Sequence, residues 1–401
     1  MIPSIAINLV CCAGVVALWL DLLQRRPLNR LEIRASWLAL FLVLLLVGRS
    51  LNWMLPGPLT ERLPLIPGFT IPLLVLITVE GILRQHAPAP VKFIAAASLV
   101  TGILATFTGS ARFEPVFTYV FAGFHAAIYA YCLVWLAFRK RRRISPGENR
   151  IADSFGITLL LILPLLATDF PEIIDLPARL GAIGILSAAY VLVFIGSGRV
   201  SALAFVTTFV IMGLAVLTLL LITIAVLGLQ DFDELLPYAG ILVSIFLTLA
   251  ILVRLVEGQG QQRRQDAADL LAHARTDTVS HFLKDALSVE LVRGARTLSA
   301  QHLADYDLNA FREVFERRPV LTQAHLDGQD GHRPGKAVRE QLSDLFVRTR
   351  STHAIFIDTV PPRLVVASAP PFRDGDAITG YLRLVARMAR MIHAAHPAPS
   401  F

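Results

Sequence analysis

Nine long stretches of the first 256 positions contain no charged residue and are rich in leucine, isoleucine, valine and phenylalanine. An α-helix rises 1.5 Å per residue, so about 20 mostly apolar residues cross the roughly 30 Å of hydrocarbon in a bilayer. We therefore predict a membrane α-helical bundle of about nine transmembrane helices. The charge-free stretches are 1–20, 35–48, 63–79, 93–111, 115–138, 154–168, 180–198, 200–230 and 235–253. Whether the short segment at about 152–170 crosses the bilayer completely stays open.

The pattern changes after the last of these stretches. From Arg254 to the final residue there are 20 Lys and Arg and 17 Asp and Glu, about a quarter of the positions, which is the proportion typical of soluble domains. We predict three segments: a polytopic transmembrane domain over 1–256, a linker and signalling-type helix over 257–298, and a small α+β cytoplasmic domain over 299–401.

Within this tail, apolar spacings of three and four residues indicate helices, and short apolar runs indicate strands. We expect an antiparallel strand pair, 354–357 with 364–367, joined by a turn at Pro361-Pro362. We also expect glycines to interrupt the helix that leaves the membrane. The predicted interruption is at 258–260, and the predicted tail helices are 266–298, 300–317, 336–350 and 378–393.

The composition supports the membrane interpretation and excludes several classes of protein. Hydrophobic residues make up 55% of the chain, charged residues only 17%, and the mean hydropathy is +0.62. A soluble enzyme or a disordered chain does not have these proportions. The three cysteines, Cys11, Cys12 and Cys132, lie inside apolar runs, so they indicate buried thiols rather than a disulfide scaffold.

The connecting segments differ in charge, and this difference predicts an orientation. Lys and Arg concentrate in alternate loops, the largest group being Arg139 to Arg143, whereas two of the other loops are acidic. Basic loops are retained on the cytoplasmic side of a membrane. We therefore expect a multi-pass protein of the inner, or plasma, membrane with its N-terminus outside and its C-terminal domain in the cytoplasm.

Two ionisable residues lie within predicted spans and are candidates for an intramembrane ligand or proton site. His125 is in the middle of the fifth span, and Glu80 is at the inner end of the third. Ionisable groups inside a membrane are costly and often functional. The simpler alternatives are an imidazole hydrogen-bonded between helices for His125, and for Glu80 an end residue that reaches the headgroups or pairs with Arg84.

Three arginines near the C-terminus, Arg383, Arg387 and Arg390, share one face of the last predicted helix. We interpret this face as solvated or membrane-facing, with nucleic-acid binding as the alternative. The tail has a net charge of only +3 and contains no helix-turn-helix or zinc pattern, so we expect no nucleic-acid partner.

The segment Val279-Ser280-His281-Phe282-Leu283-Lys284 resembles the phospho-acceptor box of bacterial sensor histidine kinases. It lies on the first helix predicted after the membrane region, as in that family, and the resemblance implies a phosphorylated His281. The family usually has an acidic residue after the histidine, and here it is Phe282. No ATP-binding domain with glycine-rich loops follows. The membrane half also resembles the multi-span input regions of bacterial sensors in its layout.

These features predict an integral inner-membrane signal-transducing protein that couples a transmembrane bundle to a cytoplasmic output domain. The alternatives are a transporter or membrane-embedded enzyme with a regulatory tail, and a scaffold in an envelope assembly. The chain contains no intact kinase or hydrolase motif and no paired zinc ligands, so we expect no catalytic residues, metal or cofactor. The expected partners are the lipid bilayer, a cytoplasmic signalling protein and a second copy in a homodimer.

Overall fold

The computed structural model of the chain divides it into two compact units. The first comprises Met1–Arg141 and Glu148–Val256, and the second comprises Arg142–Gly147 and Glu257–Phe401. The described residues are 2–24, 30–108, 116–141, 144, 146–170, 172–195, 202–227, 231–273, 278–287, 292, 295–326, 335–357, 362–368 and 375–395. The predicted turn at 361–362 lies partly outside these residues.

The described part of the first unit is helical. A π-helical turn, Val191–Ile195, follows α7 directly. The helices are α1 (Ile2–Gln24), α2 (Arg30–Met54), α3 (Leu65–Leu83), α4 (Ala89–Thr108), α5 (Val116–Ala137), α6 (Pro146–Ala167), α7 (Gly181–Tyr190), α8 (Ala202–Leu227) and α9 (Phe232–His273).

Seven of these helices, among the described residues, are long and apolar enough to cross a membrane: α1 to α6 and α9. The apolar segments Gly181–Phe194 and Val210–Val226 are shorter. The protein is therefore mostly helical, with several apolar helices of membrane length. The exact number of spans stays a prediction.

The helices of the bundle differ in how far their apolar side chains are exposed. α3 is buried along most of its length, whereas large apolar side chains of α4 and α8 such as Phe107, Ile211 and Val226 are more than half exposed. In a soluble protein such surfaces would be sites of association. On membrane helices the same surfaces are the expected contacts with lipid chains.

The predicted helix break at 258–260 is wrong, because α9 continues through both glycines to His273. A glycine inside a helix costs only about 1 kcal/mol relative to alanine. The next residues, Gln261 to Gln265, are strong helix formers and continue the helix.

The single helix predicted over 266–298 is also wrong. α9 ends at His273, a separate helix α10 (Val279–Ala286) follows, and Arg296–Leu298 is the strand β1. Thr278 is the N-cap of α10, since its side-chain oxygen accepts a hydrogen bond from the backbone N–H of His281. Such an N-cap satisfies a donor that the first turn of a helix leaves unpaired.

The second unit contains a four-stranded antiparallel sheet with the order β1-β4-β3-β2. The predicted strand pair is confirmed as β3 and β4, with Ile355 opposite Val365, but the sheet has two further strands that we did not predict. The remaining elements are a 3-10 turn (Ala300–Leu303), α11 (Leu308–Arg317), β2 (Val320–Thr322), α12 (Gln323–Leu326), α13 (Lys336–Thr349), β3 (His353–Ile357), β4 (Arg363–Ala367) and α14 (Gly375–Ala395).

Helices cover both faces of this sheet. Side chains alternate between faces along a strand, so Ile355 and Ile357 pack with α10 and α14, while Ala354 and Phe356 pack with α11 and α13. All five residues of β3 are buried. The two central strands therefore appear in the sequence as continuous apolar runs, which is what made them predictable.

Candidate functional site in the helical bundle

His125 connects α5 to α3. Its Nε2 lies 2.9 Å from the carbonyl oxygen of Gly68, and its Nδ1 lies 2.9 Å from the carbonyl oxygen of Phe121, one turn earlier in α5. Pro72 stands four residues after Gly68 and has no N–H, so the Gly68 carbonyl has lost its helical donor. The imidazole fills that vacancy.

The proton of a neutral imidazole belongs on Nε2 in this arrangement. A neutral ring carries one N–H, and of the two carbonyls it faces, that of Gly68 is the one without a helical donor. The Phe121 carbonyl has the backbone N–H of His125 as its regular α-helical partner. This geometry favours the interpretation of His125 as a hydrogen bond between helices over that of a ligand or proton site.

Glu80 is buried near the C-terminal end of α3 and binds the start of α4. One carboxylate oxygen, Oε1, lies 2.6 Å from the ammonium of Lys92 and accepts the backbone N–H of Ala87 at 2.6 Å. The ring of His86 lies 3.6 Å from the other oxygen. These contacts hold the short segment between α3 and α4 against the end of α3.

The expected alternative partner of Glu80, Arg84, pairs instead with Glu148 of α6, at 2.5 Å. Arg84 has a φ of 51°, the left-handed conformation that often ends a helix, and its backbone N–H returns to the Glu80 carbonyl. This turn ends α3 and directs the guanidinium to a different helix.

Glu80 and His125 do not share a site. His125 meets α3 at Gly68, which is twelve residues before Glu80, or about 18 Å along the helix axis. Each side chain holds together a different pair of helices. The two candidate residues are therefore separate structural contacts in this bundle.

A buried ion pair that the sequence analysis missed lies between α2 and the segment after α6. Arg49 Nη1 is 2.6 Å from Asp169 Oδ2, and the side chains are 18% and 4% exposed. Asp169 also accepts the backbone N–H of Gly181 at 3.3 Å. A Cβ at position 181 would overlap the Asp169 carboxylate, so glycine at this position permits the close approach of that carboxylate.

The centre of the bundle contains an apolar cavity of about 70 Å³ lined by residues of six helices. Its lining side chains are aliphatic or aromatic, and the Tyr129 hydroxyl is the one polar group among those described. Cavities of this kind stay dry, and 70 Å³ is less than the 150 Å³ that holds benzene. The space is an unfilled region of the packing rather than a pocket for a large ligand.

The cavity borders the end of α7, where the backbone becomes π-helical. Ala188 and Ala189 of α7, and Leu192 and Val193 of the π-helical turn, are among its lining residues. The hydroxyl of Tyr190 interacts electrostatically with Arg254 of α9, which belongs to the first unit. π-Helical turns are rare and frequently occur at functional sites. The cavity, the π-helical turn and the Tyr190–Arg254 contact therefore form the candidate functional site.

His281 is exposed in the first turn of α10, an eight-residue helix. Its neighbours Phe282 and Leu283 are buried in the core beneath the sheet. The resemblance to a phospho-acceptor box thus falls on a short helix that packs against its own domain. Phosphorylation of His281 stays a hypothesis.

His353 has a strongly shifted pKa among the described residues of the tail. It is buried in β3, its Nδ1 lies 2.9 Å from the hydroxyl of Thr352, and burial lowers its pKa to about 4, with a smaller contribution from His325. Nothing in the sequence distinguished it from the other tail histidines. Among the described residues, no group of three or more His, Cys, Asp or Glu side chains is arranged to hold a metal ion.

Comparisons with protein-family models, with curated proteins and with solved structures give no match. The functional interpretation therefore depends on the contacts described above.

Proposed function

We propose that the protein is an integral inner-membrane signal transducer in which the bundle passes a conformational change to a cytoplasmic output domain. The observation that carries the proposal is α9, which begins at Phe232 among the apolar helices and ends at His273 in the second unit. One helix thus belongs to both units. A change at the Phe232 end of α9 would have a hydrogen-bonded helical route as far as His273.

The candidate site supplies a place where such a change begins. A cavity lowers the cost of moving the side chains around it, because those side chains lack contacts on one side. Ala189 and Leu192 line the cavity, and Tyr190 between them interacts with Arg254 of α9. A movement of the backbone at the π-helical turn would therefore reach α9 through the interaction of Tyr190 with Arg254.

The transporter or membrane-enzyme alternative depended on Glu80 and His125. Both side chains are committed to contacts that join helices, as described above. The geometry thus favours transduction. A cytoplasmic signalling partner and a homodimer remain part of the proposal.

Transduction can be tested by filling the cavity in the full-length protein in nanodiscs. Ala189→Leu should change hydrogen exchange of the tail peptides 279–286 and 375–395 at least twofold, because the new side chain displaces the π-helical turn. Ala130→Leu is the matched control, since Ala130 is exposed on α5.

A second variant separates coupling from a general loss of stability. Arg254→Gln should abolish the effect of Ala189→Leu on the tail while leaving its effect within the bundle. Tail exchange that is identical in the parent, Ala189→Leu and Arg254→Gln proteins would contradict the proposal.

The proposed orientation places the N-terminus outside and the tail in the cytoplasm. The support is the concentration of Lys and Arg in alternate loops. A reporter that is active only outside the inner membrane should be silent when fused after Arg264 and active when fused after Asp231. The reverse result would overturn the orientation.

A further inference from the structure

The two helical layers that cover the sheet of the tail carry different charge. The described helical residues of the α11–α13 layer mix both signs, with exposed pairs such as Arg317 with Glu313 and Arg348 with Asp344. The α10–α14 layer presents Lys284, Arg383, Arg387 and Arg390. All four are exposed.

The carboxylate content of the second layer is low. Asp285 is the one acidic residue of α10, it is half-buried, and α14 contains none from Ile378 to its end. The exposed surface of α10 and α14 is therefore a basic face, defined by Lys284, Arg383, Arg387 and Arg390.

Apolar side chains lie on the same exposed surface. Met391 is 63% exposed and follows Arg390 directly, and Leu384 is 36% exposed and follows Arg383. The opposite side of α14 is occupied, since Leu382, Val385 and Ala389 lie in the core beneath the sheet. Exposed cations beside exposed apolar groups, on a helix anchored from below, are the composition of a surface that lies on a membrane.

We propose that the basic face of α10 and α14 docks on the anionic headgroups of the membrane's cytoplasmic leaflet. The arginines contact lipid phosphates and Met391 enters the headgroup layer. Guanidinium groups bind phosphate in a bidentate manner, and each cation near an anionic surface shifts a binding equilibrium by about fivefold. The tail is covalently attached to apolar helices, so lipid headgroups are its most concentrated anionic neighbours.

This inference rests on the proposed orientation of the tail and on the membrane character of the bundle. It does not require transduction through α9. Docking and transduction can therefore fail independently.

Depth-dependent quenching in the full-length protein tests the docking. A bimane probe on Met391→Cys should be quenched by brominated lipids in nanodiscs that contain about one third phosphatidylglycerol, and not in pure phosphatidylcholine. Val347→Cys is the matched control, because Val347 is 67% exposed on α13, in the other layer. The native cysteines are all buried, and the unsubstituted protein measures their background labelling.

Charge removal identifies the cause of the quenching. Arg383→Gln, Arg387→Gln and Arg390→Gln together should lower the docked-to-free ratio by about a hundredfold, at three cations of about fivefold each. The triple variant Arg312→Gln, Arg317→Gln and Arg348→Gln removes equal charge from the other layer and should leave quenching unchanged. Raising the salt concentration to 1 M should weaken docking.

Three outcomes would overturn the proposal. The first is equal quenching of the probes at 391 and 347, and the second is quenching that does not depend on phosphatidylglycerol. The third is a spectral shift of the 391 probe caused by a DNA duplex in phosphatidylcholine nanodiscs but not by anionic lipid, which would assign the basic face to nucleic acid.

Discussion

Apolar side chains distinguish inside from outside in the sheet domain but not in the bundle. In the tail, the interior is marked by apolar side chains such as Phe356 and Ile355, and the charged side chains lie outside. In the bundle, apolar side chains are buried at some positions and exposed at others, and a few buried polar groups such as Asp169 and His125 join specific helices. Hydrophobicity therefore predicts which residues are buried in the sheet domain, whereas in the bundle the polar contacts show which helices meet.

The largest expected effect tests the first half of this comparison. Phe356 is 2% exposed and stacks on Phe315 with ring centroids 6.0 Å apart, so Phe356→Ala should destabilise the tail by about 3–5 kcal/mol. Phe107→Ala removes the same atoms from an exposed position on α4 and should leave the stability of the bundle unchanged. Pulse proteolysis of the full-length protein measures the free energy of unfolding of the tail.

The second-largest loss of stability is expected when the buried ion pair of the bundle is broken. Arg49→Ala leaves the Asp169 carboxylate buried without its cation, which costs about 3 kcal/mol. Unfolding in mixed micelles can be followed by tryptophan fluorescence, because all four tryptophans precede Val256. Arg317→Ala breaks an exposed pair in the tail and should have no measurable effect on the stability of the tail, as measured by pulse proteolysis. Equal losses in both variants would refute the comparison.

A double-mutant cycle tests the hydrogen bond between α5 and α3. His125→Ala should destabilise the bundle by about 1–2 kcal/mol, because the Gly68 carbonyl becomes an unsatisfied buried acceptor. Pro72→Ala supplies the missing helical N–H, so His125→Ala should cost less in that background. An identical cost in both backgrounds would show that the vacancy left by Pro72 is not what His125 fills.

The stability of the tail should depend on pH through His353. Burial lowers the folded pKa to about 4 from 6.5, so the unfolded chain binds the proton more readily, and stability falls as the pH falls from 6.5 to 4. The loss between pH 7 and pH 5.5 should be about 1 kcal/mol. His353→Gln should abolish this part of the pH profile. A profile that the substitution leaves unchanged would assign the dependence to other groups.

The smallest effect is expected at His281. The side chain is exposed in the first turn of α10, so His281→Ala should change stability by less than about 0.5 kcal/mol. The intact protein should not label itself with radioactive ATP, because Phe282 replaces the acidic neighbour that activates the imidazole. Acid-labile, base-stable phosphate on His281 would contradict this prediction.

The sequence predicted elements whose pattern is long or uniform. The charge-free stretches predicted the apolar helices, and the apolar runs predicted β3 and β4. The strands β1 and β2 did not show in the sequence, because three residues are too few to form an alternating pattern. The prediction of a break in α9 was wrong because strong helix formers follow the two glycines and continue the helix.

The polar contacts of the bundle were less predictable, since they join residues that are distant in the sequence. His125 was recognised by its residue type, and Pro72 already implied a carbonyl without a donor at Gly68. The sequence does not say which helix supplies that donor. Arg49 and Asp169 are 120 positions apart, and no local pattern relates them.

The short outer strands of the tail have a consequence for self-association. β1 and β2 form the two edges of the sheet, and each is only three residues long. Two copies of this domain, held close together in the plane of one membrane, would find little open backbone to extend one sheet into the other. Short edges of this kind resist edge-to-edge aggregation, so a dimer of this domain would have to form through side chains.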